Sequence, residues 1–137
     1  MPALTVHDAL IHLMVIAASA DAKVSDRELE IISRLVTRSP VFDTFERTLL
    51  GQVAAQAIDL IKDSSNLDKV LAMVLEGVPE RLHDTAYALA VEVASVDLRL
   101  EQEELRFLEM IRDGLNLVGL VAAAIEASAR ARLRHAE

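Results

Sequence analysis

The sequence predicts an all-α fold: a single domain over residues 1–137, built of about seven helices with an internal pseudo-twofold repeat. Three observations carry this expectation. Hydrophobic residues make up 53% of the chain, mostly Ala, Leu, Val and Ile, and aromatics only 3%; such residues lose little rotamer freedom in a helix. Four Gly and three Pro are too few for the many turns of an all-β domain. Apolar residues also recur at helical spacing between recognisable start and stop signals. A chain of 137 residues is long enough to bury a real core.

The elements follow in order. A first helix is expected from Thr5 to Asp21, with Leu10, Leu13, Met14 and Ala17 on one face. After a short break, Ser25-Asp26-Arg27-Glu28 reads as a capping box that opens a second helix. Leu29, Ile32, Leu35 and Val36 carry it on until Ser39-Pro40 stops it. Asp43 can cap a third helix that reaches Lys62, with a break near Gly51. Ser64-Ser65-Asn66 forms a loop, and Asn66 caps a helix that packs Val70, Leu71 and Val74. Gly77 ends that helix, and Pro79 suits the first turn of the next, which runs to Asp97. A sixth helix spans Glu101 to Asp113 and is closed by Gly114; the last begins near Asn116. No linker is long enough to divide two domains.

Charge narrows the function. A net charge of −8 argues against nucleic acid, because phosphate binding needs clustered Lys and Arg. Arg130, Arg132 and Arg134 form a small basic tail and read as favourable charges at a helix C-terminus. With no cysteine, thiol catalysis, disulfides and thiolate metal sites drop out. Ala18-Ser19-Ala20 imitates a signal-peptidase site, but Met1 to Asp8 carries no Lys or Arg, and His12 interrupts an apolar run too short to span a bilayer. No transmembrane segment is expected, and the protein should be cytoplasmic.

Sliding the chain on itself gives one strong match, which places Asp21 on Asp97 at an offset of 76 residues. His7-Asp8 falls on His83-Asp84, Leu13 on Leu89, Ala18-Ser19 on Ala94-Ser95, and Glu28-Leu29 on Glu104-Leu105. The match runs without a gap between units 7–36 and 83–112. Matched polar positions are hard to obtain by chance in an Ala-rich chain. The two units are expected to pack on each other about an approximate twofold, with the middle helices filling the sides.

In the first unit Leu10, Met14, Ala17 and Asp21 follow helical spacing down one stripe; in the second, Ala86, Ala90, Val93 and Asp97 do the same. Each Asp therefore continues an apolar face and sits at a helix C-terminus, where the macrodipole disfavours negative charge by about 0.3–1 kcal/mol. A carboxylate so placed needs a compensating partner. Backbone N–H groups of the next turn, a Lys or Arg, or a divalent cation shared with the early Glu of the next helix could each supply it. Lys23 and Arg99 lie two residues on and should point outwards. Glu28 has a structural explanation in its capping box; Glu104 lacks one, since Glu101 stands where Ser25 does. Acidic residues also suit a first helical turn on dipole grounds alone, so structural and oxygen-ligand roles both stay open.

At Asp21-Ala22-Lys23-Val24-Ser25-Asp26-Arg27-Glu28 and Asp97-Leu98-Arg99-Leu100-Glu101-Gln102-Glu103-Glu104 the chain resembles the TerB family of tellurite-resistance proteins. The resemblance implies an all-helical fold with an internal pseudo-twofold. Each half of such proteins carries Asp, usually Gly, any residue, an aliphatic residue, and then a Glu-bearing helix start. The usual Gly is Ala22 in one unit and Leu98 in the other; either the loop avoids left-handed geometry or the site has diverged. The resemblance further implies a bacterial stress protein with divalent metal at its acidic motifs. The same fold serves as a module beside J-domains and in membrane-associated complexes, and no catalytic reaction accompanies it.

Enzyme readings fail on the residues as well. A di-iron carboxylate bundle needs two Glu-x-x-His motifs, and only Glu80-x-x-His83 exists. His83 and His7 read as capping or surface residues, and His12 as a polar residue tolerated on a largely buried helix. The gaps are too short for an EF-hand, and no Gly-rich phosphate loop or Ser–His–Asp set can be argued. The expected function is a non-enzymatic stress protein that binds calcium or magnesium through Asp21, Glu28, Asp97 and Glu104. The alternative is a metal-free helical module for protein partners.

Overall fold

Ten consecutive residues of the first helix, Ala9 to Ala18, are buried, which makes α1 (Val6–Ala18) the central element. A helix that is apolar all round belongs in an interior, and α1 packs against five others: α2 (Asp26–Arg38), α3 (Leu50–Asp63), α4 (Leu67–Glu76), α5 (His83–Ala94) and α6 (Gln102–Leu115). Leu10, Ile11, Leu13, Met14 and Val15 each have no exposed surface; full burial of one such side chain stabilises by about 1.5–3 kcal/mol. α5 is nearly as enclosed and carries α7 (Gly119–Arg132) on its far side. The structure is a computed structural model that describes residues 4–18, 24–63, 66–95 and 102–136, with the side chains of 102–105 not described.

Among the described residues the fold is all-α with seven helices, as the sequence predicts, and four boundaries differ. Residues 40–49 do not belong to α3: they form two short 3-10 turns, Pro40–Phe42 and Arg47–Leu49. Phe42 and Phe45 turn back here to meet the ring of His7, with centroids 5.6 and 5.5 Å away. Gly51 is the second residue of α3 and breaks nothing. Before α5, Pro79 leads into a third 3-10 turn, Glu80–Leu82.

The end of α6 corrects another expectation. Gly114 lies inside the helix, and Asn116 is the residue in the left-handed region, with φ 53°. The Asn116 N–H donates to the Asp113 carbonyl (3.1 Å) and the Leu117 N–H to the Arg112 carbonyl (3.4 Å), the two bonds of a Schellman closure. Gly114 instead faces α4, where a Cβ would meet Cδ1 of Leu75, the end of a side chain free to change rotamer. α7 then starts at Gly119 rather than near Asn116.

The polar caps read from sequence are present. The Ser25 hydroxyl accepts from the Glu28 N–H at 3.1 Å while Glu28 Oε1 accepts from the Ser25 N–H at 2.9 Å. Asn66 Oδ1 accepts from the Lys69 N–H at 3.2 Å. No helix among the described residues is long and apolar enough to cross a membrane.

Candidate functional site

Of the four carboxylates expected to act together, the structure describes one side chain. Asp21 and Asp97 lie outside the described residues, and Glu104 belongs to α6 with its side chain outside them. Glu28 is placed: it sits in the first turn of α2, only 8% exposed, tied by Oε1 to the backbone that precedes the helix. A carboxylate there is favoured by the helix N-terminus, and an oxygen donor so fixed fits a hard cation. Among the described residues no three His, Asp or Glu side chains come together as a metal-binding group. The outward direction expected of Lys23 and Arg99 also falls outside the described residues.

The full enclosure of α1 changes the argument for Asp21. Leu10, Met14 and Ala17 are all buried, as expected, but so is every residue between them. The helix has no stripe by which to aim its last turn, and spacing alone no longer singles out an inward direction for Asp21. α5 keeps a narrow open edge at Ala88 and Glu92, and Ala86, Ala90 and Val93 lie on its buried side.

The matched histidines are neither caps nor surface residues; both are half-buried clamps. The Nε2 of His7 lies 2.9 Å from the Val41 carbonyl, just beyond the end of α2. The Nδ1 of His83 lies 3.0 Å from the Leu115 carbonyl, at the end of α6, and its Nε2 lies 3.2 Å from the Val78 carbonyl. Each histidine thus starts the first helix of its unit and ties it to the end of the second. The sequence signal was present in the His7/His83 match, but the contacts span 34 and 32 residues and cannot be read from local spacing. His12 is buried as expected, and its Nδ1 lies 2.8 Å from the Asp8 carbonyl. Burial holds its pKa below the ordinary histidine value, opposed in part by the Asp8 carbonyl and carboxylate.

Two cross-braces on α7 were not foreseen. The buried Tyr87 donates to Glu126 Oε2 at 2.6 Å. Burial, and then the Glu126 carboxylate, raise its pKa above the ordinary tyrosine range. Arg132, read from sequence as a dipole charge, ion-pairs with Glu92 of α5 at 2.8 Å. That pair stands at one edge of an open groove of about 850 Å³, floored by Val6, Leu35, Val41 and Leu89.

Comparison with known proteins assigns this helical body. A family model described as tellurite resistance protein TerB matches residues 7–127. The chain belongs to the TerB family. No curated protein and no solved structure matches it. The match takes in both motif-bearing units and all four carboxylates of the candidate site. The TerB match stops at residue 127, short of Arg130, Arg132 and Arg134.

Proposed function

We propose that this TerB protein serves in the bacterial cytoplasm, in tellurite and related stress, by holding a divalent cation with Asp21, Glu28, Asp97 and Glu104. The observation that carries the reading is Glu28, a carboxylate 8% exposed in the helix start that follows the Asp21 segment. The reading also rests on duplication of the unit. α2 rests on α5 as α6 rests on α1, and His7 and His83 make matching clamps, as two units about a pseudo-twofold would. Four carboxylates crowded together repel unless a cation joins them. An all-oxygen set suits calcium or magnesium.

A second reading draws on the same residue. The capping box accounts for the position of Glu28 without any cation, which leaves a metal-free helical module for protein partners. Thermal melts after EDTA stripping separate the two, with calcium and magnesium restored in turn. At a hundredfold excess over Kd, a ligand specific to the folded state adds about 2.7 kcal/mol, a rise of about 3–8 °C for a domain of this size. Asp21→Asn with Asp97→Asn should abolish the rise. Glu28→Gln should reduce it while leaving the cation-free melt near wild type, because an amide oxygen still accepts from the Ser25 N–H. A wild type with no cation-dependent shift leaves the metal-free module standing. Equal shifts in wild type and the double Asn variant would move the ion to another acidic patch.

A further inference from the structure

α7 is apolar on both of its long faces, and only one is covered. Ala122 and Ala129 are buried where the helix lies on α5, with Ile125 and Glu126 half-buried between them. On the opposite side Leu120, Ala124, Ala127 and Ala131 follow one another at helical spacing, and all are exposed. Leu120 is 79% exposed, Val118 just before the helix 68%, and Val121 on the shoulder 38%. The charges of this region are largely engaged elsewhere: Glu126 accepts from Tyr87 and Arg132 pairs with Glu92. Contiguous large apolar side chains left in water mark an interaction surface.

The geometry points to a second copy of this chain as the occupant, bound antiparallel through α7. The seam is its own complement in that direction. Centred between Ala124 and Ala127, it sets Leu120 of one copy against Ala131 of its partner and Ala124 against Ala127, so the large residue meets a small one at each end. Charge selects the same direction. Arg130 and Arg134 are exposed at one end of the seam. At the other end stands Asp113, with a side chain 77% exposed and only a 3.7 Å contact to Arg112. Antiparallel pairing brings each basic end alongside the partner's Asp113, whereas parallel pairing would set Arg130 on Arg130 and Leu120 on Leu120. A membrane surface fits less well, because the apolar end is flanked by a carboxylate where a lipid-facing helix carries Lys or Arg. Fourteen residues make a seam about 21 Å long, which is small for a stable interface and implies a weak, concentration-dependent dimer.

Sedimentation over a concentration series tests this, together with cysteine cross-linking in a chain that has no native cysteine. The wild type should move from monomer to dimer as concentration rises. Leu120→Asp, at a solvent-exposed position, should keep its circular dichroism and raise the dimer Kd by about tenfold or more. Arg130→Glu should weaken the dimer, and adding Asp113→Arg to it should restore affinity. Leu120→Cys with Ala131→Cys should cross-link two chains, and neither single variant should, because in this register the two Leu120 positions stand about 16 Å apart. Cross-linking by Leu120→Cys alone would establish parallel pairing and overturn the proposal. A wild type that stays monomeric at every concentration would overturn it too. So would a monomer recruited through Leu120 to vesicles of phosphatidylcholine and phosphatidylserine, which would make the occupant a membrane.

Discussion

Replacing Gly77 by alanine tests the approach between α1 and the end of α4. A Cβ at Gly77 would stand 2.8 Å from the Ala9 Cβ and 3.3 Å from the carbonyls of Leu4 and Val74. The Ala9 Cβ is fixed to the backbone of the central helix and is fully buried, so no rotamer change can make room. Relief requires the helix backbones to part, and such overpacking costs about 1–3 kcal/mol. The φ of Gly77 is −78°, which alanine adopts freely, so loss of unfolded-chain entropy offsets about 0.4–1 kcal/mol. A net loss of about 1–2 kcal/mol should lower Tm by about 3–8 °C. Gly119→Ala is the control: nothing lies within 4 Å of its Cβ position, and the same entropy gain should raise Tm by about 1–4 °C. A double-mutant cycle with Ala9→Gly isolates the contact. Removing the opposing methyl should recover much of the loss, with a coupling of about 1–2 kcal/mol. If Gly77→Ala melts at or above wild type, or the cycle shows no coupling, the helices do not meet as described.

Three further perturbations address the polar groups. His12 is buried with its pKa held below the ordinary value of 6.5, so the unfolded chain binds its proton more readily; stability should be full above that pH and fall as pH drops below it. Urea midpoints at neutral and mildly acidic pH should show a smaller drop for His12→Gln than for wild type. Tyr87→Phe should cost about 1–3 kcal/mol, since it deprives a partly buried carboxylate of its donor. As the chain's single tyrosine, Tyr87 should show by absorbance an alkaline titration above the ordinary tyrosine range while the fold lasts. Ser25→Ala removes the hydroxyl half of the capping box and should cost about 1 kcal/mol in a thermal melt.

What was legible in the sequence depended on range. The Ser25–Glu28 and Asn66 caps are local hydrogen bonds, three residues apart, and residue types alone announce them. The end of α6 was misplaced because glycine serves two purposes, a left-handed φ or a close approach. Gly114 lies inside the helix facing Leu75 of α4, and the left-handed φ falls to Asn116 two residues on. Asp43 failed as a helix start for a similar reason. It is a competent capping residue, but the Phe42 and Phe45 rings on either side are held by His7, 35 and 38 residues earlier. The Tyr87–Glu126 and Glu92–Arg132 braces link residues about forty apart and leave no periodic trace.

The candidate metal site shows how fold and chemistry can come apart in such a reading. Spacing placed Asp21 on a buried stripe, and that stripe was the reason for asking what compensates its charge. With α1 enclosed on all sides as far as Ala18, 3% exposed, direction no longer decides what compensates Asp21. In general the last carbonyls of a helix have no intrahelical donors, and a carboxylate near a helix C-terminus adds negative charge to the same end. Backbone donors of the turn can compensate part of this charge, and a divalent cation can compensate all of it by ligating carbonyl and carboxylate oxygens together. The two outcomes differ in one measurable respect. A turn satisfied by its own backbone keeps its stability in EDTA, whereas one closed by a cation loses it, and the Asp21→Asn change should then stabilise the cation-free protein while abolishing its response to the ion.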